Sequence, residues 1–422
     1  MSEVLVAVGP GVVADDGLLA EIATREFTAL GVSGTFVHAR DAAHVLSLVS
    51  GAASAVVLPG PSDEVRALIG RPLGAVVWVD VERADGVVAG AGAAHLHGRG
   101  VGGLTWGIRH AVHRVRHPSR RIAYGALPDQ WGELYLPGGG SGGGRAPVVV
   151  LIHGGYWRSI WAADLMEPLC VDLAGRGFAV WNLEYRRPDL HGWHATTADV
   201  AAGLAALTTT PVGAALPGSG PVGRDAAPGL AEVAASLNLG RVAVAGHSAG
   251  AQLALRAAAD RARAAGQGAA PSGAVGEGAR IVLAVSLAGV LDLVQGDRRW
   301  LSSGAVAAAL GEPAPAALDR PAAPGGPAPA ADHGEGPGGE AARLYAEASP
   351  LLRLPLHVRQ LIVQGTADDL DLVDFSRRYA RAAEESGDDV TYVEMPADHF
   401  DVINPATPIW QTTVRTIVSA LR

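Results

Sequence analysis

Cysteine is almost absent: a chain of 422 residues contains one, Cys170. A single thiol excludes an intrachain disulfide and fits a reducing cytoplasm. Long apolar runs are missing too. No stretch of eighteen uncharged apolar residues occurs, and Met1-Ser2-Glu3 carries no basic region ahead of an apolar one, so neither a membrane span nor a secretory signal is expected. Positive charge is in deficit. The formal net charge is −9 and is spread along the chain, which argues against a nucleic-acid surface. The one basic cluster, residues 109–121 with three histidines, reads as a solvated helix end and linker. No metal-ligating cluster stands out, and the glycine run at 138–144 lacks the helix and lysine of a phosphate-binding loop. What remains is a chain expected in the cytoplasm, without cofactor, acting on a small molecule.

Apolar residues are plentiful at 49%, enough for large buried cores, and the length favours two domains. In the first, strand-like runs at 4–8, 34–37, 54–58, 74–79 and 86–90 alternate with helical patterns at 18–30, 42–49, 64–69 and 103–115. Strands alternating with helices at this spacing make a small parallel, doubly wound sheet.

Four features of this domain carry a resemblance. They are Val8-Gly9-Pro10-Gly11 after the first strand, Leu58-Pro59-Gly60-Pro61 after the third, the strand Val76-Val77-Trp78-Val79-Asp80, and the closing run 100–109. Together, over residues 1–117, they resemble type II 3-dehydroquinate dehydratase, which implies a flavodoxin-like fold. The departures fall on the chemistry. That family's first loop carries an arginine and a proton-abstracting tyrosine; here Val12-Val13-Ala14-Asp15-Asp16 has neither. Leu58 stands where the family has asparagine, and Asp80 where it has histidine. A phenolate base with polar partners for a hydroxylated ring cannot be assembled from these residues. The domain is therefore expected to be an inactive scaffold. Oligomerisation, regulation and substrate feeding are all roles open to it, homo-oligomerisation through this domain among them.

The second half starts with edge structure at 124–136, where Trp131, Glu133 and Tyr135 alternate, and a glycine-rich hairpin loop at 138–144. Pro/Gly/Ala-rich stretches at 211–230, 264–278 and 312–340 are poor in large apolar residues and read as disordered surface insertions, the last where a lid could sit. Residues 148–152 form a continuous apolar strand of the buried parallel kind, leading into His153-Gly154-Gly155-Tyr156-Trp157. Adjacent glycines there let backbone N–H groups turn toward a ligand, as a developing oxyanion requires.

Next, Val242-Ala243-Val244-Ala245 runs into Gly246-His247-Ser248-Ala249-Gly250 and then an Ala/Leu-rich helix at 252–259. Strand, Gly-x-Ser-x-Gly and helix in that order form a nucleophile elbow, in which neighbouring backbone crowds the serine and leaves room only for glycine. A carboxylate and then a histidine must follow. Asp368 comes just after the strand at 360–364, with Asp369 and Asp371 as alternatives, and each could equally cap the helix at 372–385. His399, in Asp398-His399-Phe400-Asp401, alone among fourteen histidines lies between the final strand at 390–395 and the last helix at 407–421. In this arrangement His399 takes the proton from Ser248, and Asp368 holds its tautomer.

Over residues 121–422 these elements resemble the α/β-hydrolase fold. More narrowly, His153-Gly-Gly-Tyr-Trp157, Asn182-Leu-Glu-Tyr-Arg-Arg187, Gly192-Trp193, Thr197-Ala-Asp-Val200, the elbow and Asp398-His-Phe-Asp401 resemble the kynurenine formamidase (arylformamidase) branch. The resemblance implies hydrolysis of N-formylkynurenine. Residues alone reach only acyl transfer to water from an ester or activated amide. Gly154, Gly155 and Ala249 would donate N–H groups to the oxyanion, and Tyr156, Trp157 and His247 would line the pocket, where the two aromatics could equally be packing. A general carboxylesterase, a bifunctional enzyme with a working first domain and a non-catalytic binding or regulatory protein are the alternatives.

Overall fold

The structure is a computed structural model that describes residues 3–138, 145–208, 236–266, 279–319 and 337–422. The expected insertion at 211–230 lies outside the described residues, as do 139–144, 267–278 and 320–336. The chain divides into two compact units, the first reaching Ser119 and the second starting at Arg120.

Five parallel strands build the first unit: β1 (Val4–Val8), β2 (Gly34–His38), β3 (Ala55–Leu58), β4 (Val76–Asp80) and β5 (Ala94–His97). Their order, β2-β1-β3-β4-β5, is the doubly wound order of flavodoxin-like sheets. β1, β3 and β4 are buried along their whole length and consist mostly of valine and leucine, as strands covered on both faces must. Alternate residues feed two cores. Val4, Val6 and Val8 pack with Leu19, Ile22 and Ile108, while Leu5 and Ala7 pack with Val45, Val57 and Trp78. The helix Asp16–Leu30 begins where the Asp15 carboxylate accepts from the Leu18 N–H and ends at Gly31 in the left-handed region.

The fifth strand corrects the sequence reading. Residues 86–90 are not a strand: Gly86 has φ +76°, and the Gly90 N–H donates to the Ile69 carbonyl at 2.7 Å. The edge of the sheet is instead Ala94–His97, registered on Val77–Asp80.

Eight strands build the second unit: β6 (Arg120–Ala123), β7 (Trp131–Tyr135), β8 (Ala146–Ile152), β9 (Ala179–Leu183), β10 (Leu237–His247), β11 (Ile281–Leu287), β12 (Gln360–Gly365) and β13 (Val390–Met395). They are ordered β13-β12-β11-β10-β8-β9-β7-β6. From β13 to β9 neighbours are parallel; β7 runs antiparallel to β9, and β6 to β7. The parallel register brings the carboxyl ends of β8, β10, β12 and β13 to one edge, where functional loops of open α/β sheets gather.

Two expected insertions are narrower than the sequence suggests. The helix that follows β10 runs on to Gly266, and Pro337–Ala348 is helical, with the Tyr345 hydroxyl donating to the Glu312 carbonyl at 3.0 Å. Among the described residues no helix is long and apolar enough to cross a membrane.

At the end of β4, Arg66 donates to both oxygens of Asp80 at 2.8 and 3.0 Å, and His95 Nε2 lies 2.8 Å from Asp80 Oδ2. Burial alone would raise the Asp80 pKa, but the hydrogen bonds from His95 and Arg66 outweigh it and hold the carboxyl at about 2. A depressed carboxylate stabilises the fold above its unfolded pKa and loses that contribution as pH falls through the folded one. Protection factors of the Val76–Asp80 amides against hydrogen exchange should therefore fall between about pH 4 and pH 2, and Asp80→Asn should show lowered protection already near neutral pH.

Candidate active site

The elbow is held by backbone packed on backbone. β10 ends at His247, Ser248 follows with φ +56°, and the helix Ala249–Gly266 begins at once. A left-handed serine is strained and persists only where its surroundings enforce it. Here a Cβ on Gly250 would stand 2.2 Å from the Ile152 carbonyl oxygen and 2.4 Å from that of His153. The helix start thus rests directly on the end of β8. The Ser248 N–H donates to the Leu287 carbonyl at 2.8 Å, tying the turn to β11 as well. The Ser248 hydroxyl oxygen is buried and has no hydrogen-bond partner among the described residues.

The loop after β8 is equally tight. A Cβ on Gly154 would lie 2.6 Å from the His247 carbonyl oxygen and 2.8 Å from the Ser248 Cβ, and Gly155 has φ +110° with Trp161 filling the place of a side chain. Gly154 is therefore pressed against the nucleophile elbow. Ala249, buried at the first turn of its helix, presents one of the N–H groups that lack an intrahelical acceptor. Tyr156 and Trp157 continue the strain, with φ +52° and +57°. Tyr156 is half-buried, whereas Trp157 is 1% exposed, packs in the apolar core and donates its indole N–H to Gln252 at 3.1 Å. Trp157 is therefore a packing residue in this structure rather than a pocket wall.

Past β12, Asp368 is the carboxylate that reaches the histidine: His399 Nδ1 donates to its Oδ2 at 2.9 Å. Asp369 instead caps the helix Leu370–Glu385 by accepting from the Asp371 N–H at 2.8 Å, and Asp371 pairs with Arg299. Asp368 is itself oriented, because Gln364 Nε2 donates to Oδ2 at 2.9 Å and the Asp369 N–H to Oδ1 at 2.7 Å. Ser376 in turn donates to Gln364 Oε1 at 2.8 Å. Gln364 and Ser376 went unseen in the sequence, and the only trace of the first is a polar residue closing an apolar strand.

His247 joins the two halves of the site. Its Nε2 donates to the His399 carbonyl at 2.9 Å, and its ring lies 4.7 Å from that of His399 and 5.9 Å from that of Phe400. Burial first, and His399 next, push its pKa well below the ordinary histidine value, so it is a neutral strut and not a second base. With Nδ1 of His399 on Asp368, Nε2 is the ring nitrogen left for another partner. Ser248, Gly154, His399 and Asp368 thus lie around His247 at one end of the sheet.

Residues 149–403 match the family described as alpha/beta hydrolase fold. No curated protein matches. Among solved structures, a bifunctional GH43-CE protein from Bacteroides eggerthii aligns with a TM-score of 0.52 at 17% identity over 72% of this chain, which spans 35% of that protein's length. Esterase B from Lactobacillus rhamnosis, inhibited by a tributyrin phosphonate, aligns with a TM-score of 0.52 at 17% identity, covering 72% of this chain and 85% of that one. At such identities the likeness is one of fold.

Because Gly154 has no room for a side chain, Gly154→Ala should displace the elbow and lower the turnover of p-nitrophenyl acetate by about 100-fold or more. Unchanged turnover would contradict the packing described here.

Proposed function

The chain belongs to the α/β-hydrolase fold family, and from that premise we propose that it is a serine hydrolase acting on an aryl formamide such as N-formylkynurenine. The observation that carries this reading is the Asp368–His399 hydrogen bond, joined through His247 to an elbow whose serine is held left-handed. In the proposed reaction Ser248 Oγ attacks the formyl carbon as His399 Nε2 takes its proton. The tetrahedral oxyanion lies against the N–H groups of Gly154, Gly155 and Ala249. His399 then returns the proton to the leaving aryl amine, and the Ser248 formyl ester remains. Water, deprotonated by His399, attacks that ester, and formate leaves as Ser248 recovers its proton. Asp368 stays ionised throughout and stabilises the imidazolium.

An aryl leaving group is favoured by two rings. Tyr156 is half-buried beside the oxyanion glycines, and Phe400, 42% exposed, lies 5.4 Å from the His399 ring. A small ester is the second reading, since nothing in the triad chemistry requires an amide.

The first unit is proposed to be a dehydratase-like scaffold without its chemistry. Leu58 is buried, and both oxygens of Asp80 are engaged by Arg66 and His95, so neither position supplies the polar contacts that the dehydratase chemistry would need. The cavity lined by Gly11, Gly60, Arg66 and Asp80 measures about 170 Å³, below the roughly 300 Å³ at which small-molecule pockets begin. Dehydration of 3-dehydroquinate by the full chain with Ser248→Ala in place would overturn this reading.

Ser248→Ala should cut kcat by about 10⁴-fold or more at little change in KM. A side-by-side assay of N-formylkynurenine and short p-nitrophenyl esters separates the two readings. Higher kcat/KM for the formamide is expected, and a preference for esters by orders of magnitude would assign a general carboxylesterase.

A further inference from the structure

The loop that presents the oxyanion glycines is tied down by a buried charge cluster that the reaction itself does not use. His153, at the end of β8, has no solvent exposure. Its Nδ1 lies 2.8 Å from the carbonyl oxygen of Gly154 and its Nε2 lies 3.1 Å from Glu184 Oε1. A carbonyl oxygen only accepts, so Nδ1 must carry a hydrogen. The Glu184 carboxyl also accepts from the Tyr185 N–H, from Arg187 and, on Oε2, from the Ala163 N–H at 3.0 Å. Burial would raise the Glu184 pKa, but Arg187 and His153 outweigh it and keep the group ionised. A carboxylate is an acceptor only, so Nε2 must carry a hydrogen as well. Two acceptors on two ring nitrogens describe an imidazolium ion.

The surrounding charges fit that state. Arg187 faces Glu184 and, at 3.4 Å, Asp129. Glu184 is the fully buried carboxylate and sits between Arg187 and His153, whereas Asp129 is partly exposed and burial raises its pKa. Two further titratable groups face the outer end of the cluster: Asp189 acts on Arg187, and His191 Nε2 lies 4.0 Å from Asp129. Tyr185 stacks on His153 at 4.4 Å and donates its hydroxyl to the His153 carbonyl at 2.9 Å, Tyr124 donates to the Glu184 carbonyl at 2.7 Å, and His247 is held neutral by burial.

The bond from Nδ1 fixes one peptide plane. In a trans peptide the C=O and the following N–H point in opposite directions. With the Gly154 carbonyl held toward the His153 ring, the Gly155 N–H is turned away from it. We propose that Glu184 is a positioning residue for the hydrolase site: it keeps His153 doubly protonated, and the charged ring orients the Gly154–Gly155 peptide so that the Gly155 N–H faces the oxyanion formed at Ser248. This deepens the hydrolase reading and rests on it. Nothing in the chemistry of the triad calls for Glu184; its effect passes through a donor that acts only on the transition state.

The test uses the full chain in two measurements. In wild-type protein with ¹⁵N-labelled histidine, both ring nitrogens of His153 should carry protons, because each faces an acceptor. An unprotonated ring nitrogen at about pH 8 would overturn the proposal without reference to any activity. In Glu184→Gln the anion is lost at nearly constant shape. On the better substrate of the two classes above, kcat at about pH 8 should fall by about 10- to 100-fold with KM within about twofold, short of the 10²–10³ for deleting a donor outright. Glu184→Asp, which keeps the anion, should recover much of the lost kcat. No recovery in Glu184→Asp, or a loss that falls on KM, marks Glu184 as merely structural and sinks the proposal. A chain that hydrolyses nothing although its His153 is doubly protonated refutes the hydrolase reading instead.

Discussion

Everything at the active end of the second sheet follows from how closely the elbow is packed on the end of β8. The first turn of the helix Ala249–Gly266 sits on the carbonyls of Ile152 and His153, and Gly154 lies against His247 and Ser248, with no space at either contact for a methyl group. Such contact between two backbones removes conformational freedom that side chains could not remove. It pins Ser248 in a left-handed conformation that would otherwise relax, and it fixes the serine against Gly154. The parallel order of β8, β10, β12 and β13 then decides which loops gather beside it. Residues more than a hundred positions apart converge because every loop in question leaves the same edge of the sheet.

Around that contact the polar groups are arranged in chains anchored away from the reacting atoms. Ser376 holds Gln364, Gln364 holds Asp368, and Asp368 holds His399. A separate chain runs from Asp129 through Arg187 and Glu184 to His153. Between the two stands His247, neutral, fixing the His399 backbone without competing for its proton. Buried polar groups in such chains satisfy one another and so impose a single geometry, which a site requiring sub-ångström placement needs.

The sequence showed much of this and missed the rest for physical reasons. Fully buried parallel strands are written as apolar runs, so β1, β3, β8 and β12 could be read directly, and the elbow glycines mark a turn where nothing larger fits. β5 could not be read. Its residues Ala94-His95-Leu96-His97 have no β-branched member, while Val87-Val88 a few positions earlier imitate a strand although Gly86 and Gly90 turn the chain. β11 carries a plain apolar run but no motif, and a reading led by motifs passes over it. The choice between Asp368 and Asp369 lies beyond composition, since adjacent aspartates point in different directions and only the helix geometry makes one a cap and the other a partner of His399. The roles of Gln364 and Glu184 arise from contacts between side chains that the sheet brings together, and no local pattern records them. Trp157 shows the opposite limit: an aromatic beside the oxyanion glycines suggests a pocket wall, yet its ring is turned into the core.

Reaction of the full chain with a fluorophosphonate, followed by peptide mapping, reads the nucleophile directly. One adduct, on Ser248, lost in Ser248→Ala and strongly slowed in His399→Gln, is the expected result. No adduct, or an adduct on another residue that survives Ser248→Ala, would contradict a strained, buried Ser248 as the nucleophile about which the second unit is built.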